Sequence, residues 1–201
     1  MHRHRSGLGE SGSWPAIGPS SLEVRDGMGT KSLGVSEQKI KVGGIMANTG
    51  LAMVSIFSIR GRPEAPSIVL HSLGEKNINI EFVVHTLDPE ENGNLTFCIE
   101  QKNLEAALEL LERIKSLMEA KAISYHSNVT VISVFGPHFR EKPFISGLIL
   151  NTLVISGIKI LAISTSISSC SCLVEGDQTG EAMRALHETF EAPHQITKFA
   201  P

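Results

Sequence analysis

The chain carries the same pattern of apolar runs and turns twice. "INIEFVVHT" (Ile78–Thr86) and "IKILAISTS" (Ile158–Ser166) each follow a short amphipathic run. Each of those runs follows a proline loop, "RGRP" (Arg60–Pro63) in the first copy and "REKP" (Arg140–Pro143) in the second, with the two prolines 80 residues apart. Further on, "NLEAALELLERI" (Asn103–Ile114) is matched by "TGEAMRALHETF" (Thr179–Phe190). Self-similarity at a fixed offset means that one supersecondary unit occurs twice. Any fold for this chain must therefore be built from two copies of one small domain.

The elements of the first copy follow from periodicity. "LAMVSIFSI" (Leu51–Ile59) is β-rich and reads as a strand. After the loop "RGRPEAP", "SIVLHSLGEKN" carries Ile68, Val69 and Leu73 at helical spacing and ends near Lys76. "INIEFVVHT" is a second strand, "DPEENGN" a turn and "LTFCI" a third strand. Asn103 is placed as N-cap of "LEAALELLERIKSLMEAK", whose stripe is Leu104, Ala107, Leu108, Leu111, Ile114 and Met118. "AISYH" (Ala122–His126) closes the set. The order βαββαβ is the split βαβ of the ferredoxin-like fold. The expected class is α+β: two tandem units with helices on one face of antiparallel sheets.

The second copy repeats "VISVF" (Val131–Phe135), a helix with Ile145, Leu148, Ile149 and Leu153 on one side, the strands "IKILAISTS" and "CSCLV", and a helix with Ala182, Met183, Leu186 and Phe190 facing in. It then stops at "EAPHQITKFAP", read as a tail with no strong strand, and so lacks one strand. An open edge is a pairing liability. "KIKVGGI" (Lys39–Ile45), ahead of the first copy, has the right length to fill it and is expected to belong in space to the second copy. The expected division is a flexible leader at 1–36, that strand within 37–48, a first domain at 49–127, a second at 128–192 and a tail at 193–201. The leader, rich in Gly, Ser, Pro and Arg, cannot bury enough apolar surface to offset its ordering entropy; Met28 and Met46 are alternative starts.

Composition removes several function classes. A formal charge of −3 over 201 residues favours neither nucleic-acid steering nor a membrane surface. No apolar run reaches the roughly 18 residues of a spanning helix, and no apolar segment follows the basic N-terminus as in an export signal. Cytoplasm is the expected compartment. The three cysteines read as buried reduced thiols, and the C-x-C of Cys170 and Cys172 is a poor metal signal. No metal or cofactor is expected. No cluster reads as catalytic: His71, His85, His126, His138 and His187 lie on different elements, and G-x-S-x-G is missing. "KVGGI" (Lys41–Ile45) lacks the strand–turn–helix context of a phosphate loop.

The motifs "NINIEF" (Asn77–Phe82), "AISTS" (Ala162–Ser166) and "ALHETF" (Ala185–Phe190), with a proline loop before each copy's first helix, closely resemble paired ACT domains, in particular the regulatory end of aspartate kinase. The likeness runs from Lys39 to Phe190. It implies a non-catalytic regulatory protein that binds an amino acid effector at ACT-domain interfaces. It also places ligand contacts on the proline loop and on Asn79, Ile80, His85 and Thr86. The sequence departs from the family there: Gly61 and Glu64 replace Asp and Gly in the loop, and His85-Thr86 replaces the Q-N pair. In the second copy, Lys159 replaces Asn and Ile167 replaces Glu. The kinase half is absent from the likeness, so no catalytic residue is assigned.

Physical chemistry supports a receptor at the junctions. Each copy runs from a strand through a proline loop into a helix whose first N–H groups lack intrahelical partners. Such a helix start suits a carboxylate. The candidates are Arg62, Pro63, Glu64, Ala65 and Ser67 in one loop, and Arg140 and Pro143 in the other. Glu64 either repels a carboxylate or acts as an internal anion, and a plain turn is an equal alternative at both sites. Ser164, Thr165 and Ser166 either satisfy backbone groups near an edge or contact a ligand. The strand at Ile158–Ile163 is apolar on both faces, which predicts self-association through the sheets. Three functions are therefore carried forward. The chain is an amino-acid-binding regulator of a partner enzyme, the regulatory subunit or fragment of an aspartate kinase with a separate catalytic chain, or a structural dimerisation module whose ligand sites have decayed.

Overall fold

Strands that the sequence pattern separates run on as one. In the computed structural model, which describes residues 39–139, 144–193 and 195–199, Gly44–Ile59 is a single 16-residue strand, β2. It follows the two-residue β1 (Ile40–Lys41). Likewise "AISYH" and "VISVF" fuse into β5, Ala122–Phe135. Between them lie α1 (Ala65–Glu75), β3 (Phe82–Leu87), β4 (Gly93–Glu100) and α2 (Leu104–Met118). After β5 come α3 (Phe144–Ile155), β6 (Ile160–Thr165), β7 (Ser169–Glu175), α4 (Thr179–Thr189), β8 (Phe190–Glu191) and β9 (Gln195–Phe199). The residues read as a leader lie outside the described part.

Each helix forms for local reasons. Pro66 stands in the first turn of α1, where its missing N–H costs nothing. In α2, Ala107, Leu110, Leu111 and Met118 are buried, while Leu104, Leu108 and Ile114 pack half-buried against the same core. Asn103 does precede α2, but its side chain makes no capping bond. A 3-10 turn at Gln101–Asn103 holds Asn103 at φ −93°, ψ −2°, away from the extended conformation a cap needs. α2 ends with Glu119 at φ 50°, and the Ala120 N–H returns to the Lys115 carbonyl.

The sheet order is β3-β4-β2-β5-β7-β6, with β9 also paired to β2. The C-terminal half of β2 pairs antiparallel with β4 and with Ala122–His126 of β5. Its N-terminal half, Gly44–Asn48, pairs antiparallel with Val131–Phe135 of β5, and β5 pairs on its other side with β7. β1 runs parallel to β8. The tail is a strand after all: Gln195–Phe199 lies parallel to Ile45–Thr49. Its short polar-apolar mix carries little pattern, and pairing with an exposed edge of β2 decides its conformation.

Two register shifts in the β2–β5 ladder, around Asn48–Leu51 and Leu51–Met53, mark the passage from one half to the other. Gly50 (φ 71°) and Asn128 (φ 56°) sit at these bulges. One strand contributes an extra residue at each shift, so the alternation of faces is corrected across the junction. Ile45 and Ala47 on one side, and Val54 and Ile56 on the other, therefore all face helices. They belong to separate cores, one with α3 and α4 around Ile132, Ile145 and Leu186, the other with α1 and α2 around Val69, Phe97 and Leu111.

A third cluster contains only strand residues: Leu51, Phe82, Cys98, Val129, Val131 and Leu173, with Leu161 and Ala162 partly buried beside it. These residues lie on the helix-free side, yet Leu51, Cys98, Val129 and Leu173 are fully buried. The two halves of the sheet cover each other there. Of the apolar strand at Ile158–Ile163, Leu161 and Ala162 are thus partly covered within the chain, while Ile163 stays exposed. All three cysteines are free and buried.

Candidate functional site

β2 runs antiparallel to β4, and β4 to β3. The ends of β2 and β3 thus fall together: Ile59 and Leu87 both pair with Gly93. The loop Arg60–Glu64 is therefore brought to the end of the edge strand that carries His85 and Thr86. Both of those residues are exposed, and the His85 ring lies over Gly93, where an added Cβ would stand 3.1 Å from His85 Nε2. Asn79 and Ile80 are at the opposite end of β3, beyond the C-terminus of α1. Asn79 is exposed, and Ile80 packs against the α1–α2 core. The structure thus groups Arg62, Pro63, Glu64, His85 and Thr86, and leaves Asn79 and Ile80 apart from them.

The chemistry of this junction is largely internal. Arg62 Nε donates to Glu119 Oε1 at 3.0 Å, and Nη1 lies 3.5 Å from Glu64 Oε1. The Arg62 guanidinium is thus shared between two carboxylates. Ala65 is buried, while Ser67 is exposed one turn into α1. Gly61 takes φ +56°, a left-handed conformation that glycine adopts without strain. Glu119 gave no sequence signal, because its reach to Arg62 depends on where α2 stops.

The strand pairing of the first junction recurs in the second half. β5 and β6 both pair antiparallel with β7, so Phe135 and Thr165 lie at one end, where the Gly136 N–H donates to the Ser168 carbonyl at 2.9 Å. Arg140 and Pro143 lie outside the described residues. Ser164 faces Ser171 across the ladder, and Thr165 is exposed beside Cys170. Ser166 is used in the hairpin: its Oγ accepts from the Ser169 N–H at 3.1 Å and lies 2.8 Å from Ser169 Oγ. This is the backbone-satisfying role of a turn serine, which leaves Thr165 as the outward hydroxyl. Among the described residues, no group of His, Cys, Asp and Glu is placed to hold a metal ion, and no helix is long and apolar enough to cross a membrane.

Residues 132–190 match the family model of the ACT domain. Among curated proteins, the chain is 26% identical over 179 residues to an aspartokinase of Bacillus sp. (strain MGA3), covering 89% of this chain and 44% of that protein. It is 24% identical over 172 residues to aspartokinase 2 of Bacillus subtilis (strain 168), covering 86% and 42%. The chain spans less than half the length of these relatives. Among solved structures, the regulatory subunit of aspartate kinase from Thermus flavus superposes with a TM-score of 0.68 at 20% identity, covering 75% of this chain and 99% of that one. A structure of aspartokinase alpha and beta subunits gives 0.67 at 23% identity, covering 74% and 97%.

The fold is therefore that of an ACT-type regulatory protein, with helices packed on antiparallel sheet. More particularly, the chain resembles the regulatory region of aspartate kinase, and the fold it shares is that of the regulatory subunit rather than the catalytic domain.

Proposed function

We propose that this chain is a cytoplasmic, non-catalytic regulator that binds a small amino acid at its strand–loop–helix junctions and modulates a partner enzyme, with a catalytic aspartate kinase chain as the partner. The observation that carries this reading is the geometry of the first junction, in which the edge strand β3 ends beside the loop that opens α1, with the same strand pairing recurring at β5, β7 and β6. That helix start suits a carboxylate, and the strand end offers hydroxyl and imidazole groups at Thr86, His85 and Thr165. The likeness to aspartate kinase regulatory subunits supports the amino acid as ligand class. In this reading the chain comprises two ACT-like units, 49–127 and 128–192, with the strand within 37–48 completing the second. Regulation requires that ligand bind two arrangements of the assembly unequally.

A second reading, a dimerisation module with decayed sites, is favoured by Arg62. Its guanidinium is held by Glu119 and Glu64, so this side chain is already engaged within the chain.

A thermal-shift screen of the full chain against the twenty amino acids separates these readings. At least one is expected to raise the melting temperature with concentration, by mass action, and the shift should shrink in Thr165→Val. If no amino acid raises it, the receptor reading fails and the structural module stands. Co-purification with a separate kinase chain tests the partner.

A further inference from the structure

The turn from β3 into β4 contains the only asparagine of the chain that precedes a glycine, Asn92-Gly93. Every other Asn is followed by Thr, Ile, Leu or Val. Asparagine is chemically labile because the next backbone nitrogen can attack its carboxamide, and a following glycine has no Cβ to obstruct that attack. Branched neighbours obstruct it everywhere else in this chain. The chemistry is thus confined to one position, and there Ile59 and Leu87 both pair with the glycine.

The fold restrains this bond from two sides. Asp88 Oδ1 accepts the N–H groups of Glu90 at 3.0 Å and of Asn92 at 2.8 Å. The Asn92 Nδ2 donates to both oxygens of the same carboxylate, at 3.2 and 3.0 Å. These bonds hold the Asp88 carboxyl below its ordinary pKa, with the Asn92 side chain as the largest cause. The carboxamide is therefore pinned through the nitrogen that would have to leave. On the other side, Gly93 is buried, paired with Ile59 of β2 and Leu87 of β3. Attack requires the carboxamide to turn out of the Asp88 clamp and the Gly93 nitrogen to leave its place in the sheet.

We propose that Asn92-Gly93 is a self-modification site, kept closed by the Asp88 carboxylate, whose conversion to aspartate or isoaspartate releases the end of β3 at the first junction. In the reaction the Gly93 nitrogen bonds to Asn92 Cγ and gives up its proton. The Cγ–Nδ2 bond breaks, and that nitrogen leaves with the proton as ammonia. Water then opens the five-membered imide. Addition at Cγ gives aspartate, and addition at the main-chain carbonyl carbon gives isoaspartate, with one more carbon in the backbone. Aspartate replaces the Nδ2 donor by a carboxylate oxygen facing Asp88, so attractive contacts become repulsive. Isoaspartate also shifts Gly93 from its register with Ile59 and Leu87. The reaction needs water and no ligand, so it stands apart from the amino-acid reading.

Folded and urea-unfolded full-length chains are incubated at mildly alkaline pH, and mass spectrometry of the peptide spanning Asn92 follows the exchange of amide for carboxyl. The unfolded chain should react faster than the folded one. Folded Asp88→Ala should react about tenfold faster than folded wild type, the value of one hydrogen bond to a charged group. If that variant fails to fold, Asp88→Asn, which keeps an acceptor without the charge, gives the same comparison. Asn92→Asp, a mimic of one product, should lose hydrogen-exchange protection at Val83–Leu87 while α3 and α4 keep theirs. The assignment is overturned by folded wild type reacting as fast as the unfolded chain, or by no reaction in either. A clamp variant within about twofold of wild type, or unchanged protection in Asn92→Asp, would overturn it as well.

Discussion

Burial pushes the Cys98 thiol up to about 12 from its ordinary 9.0, because the side chain faces the strand-only cluster with no polar partner for a thiolate. The sign follows directly. The unfolded thiol ionises first, so this contribution is constant below about pH 9 and is lost as pH rises towards 12. In native protein at pH 8, Cys98 should be modified by a thiol reagent only as fast as the chain opens, and mass spectrometry of the labelled peptide would detect it. Rapid labelling of folded protein would contradict the packing described. Other single residues set contact distances. An alanine at Gly136 would put its methyl 2.7 Å from the Gly43 backbone nitrogen, where the Gly43 N–H already donates to the Phe135 carbonyl at 2.7 Å. At the candidate site, the sequence offered Ser164, Thr165 and Ser166 alike, and only the hairpin bonds of Ser166 distinguish it from the exposed Thr165. The Arg62–Glu119 pair could not be read from the sequence, since 57 residues separate the two side chains.

At the level of elements, the N-terminal half of β2 is a working strand of the α3–α4 core and not an accessory. Ile45 is fully buried there and pairs with Val134 on one side and Gln195 on the other. Ile45→Ala should cost about 2–4 kcal/mol, the range for truncating a buried large aliphatic side chain, as measured by urea unfolding. Hydrogen exchange should show the loss first at Val131–Phe135 and in α3 and α4, before Leu95–Ile99 of the other core. A cost below about 0.5 kcal/mol, or uniform loss, would mean that this strand contributes little to the core. α3 differs from its counterpart α1 in having no charged residue along Phe144–Ile155. Phe144, Val154 and Ile155 remain more than half exposed on it. Such an outer face favours contact with another chain.

On the scale of the molecule, that apolar helix face supports the proposed homo-oligomer, together with the sheet, where Phe57 and Ile163 also stay exposed. Sedimentation at increasing concentration should show association, and Val154→Lys with Ile155→Lys should abolish it while leaving the fold intact. A strict monomer at high concentration would remove the homo-oligomer from the proposal. The third cluster also ties the two halves together, since Leu51, Phe82 and Cys98 from one half pack with Val131 and Leu173 from the other.

Much of this was legible in the chain itself. Period 3.6 in α2 and α4, period 2 in β4 and β7, and the 80-residue offset together require two βαββαβ units, because these patterns record which side chains must leave water. The fusion of four short strands into β2 and β5, the pairing of β9 and the strand-only cluster shared by the two halves were decided by tertiary structure. Each depends on a partner distant in sequence, and on bulges at Gly50 and Asn128 that turn the faces to suit it. The same holds for the site. The junctions lie along the chain and can be read from it, whereas the meeting of Ile59 and Leu87 at Gly93 exists only where β2, β3 and β4 are paired.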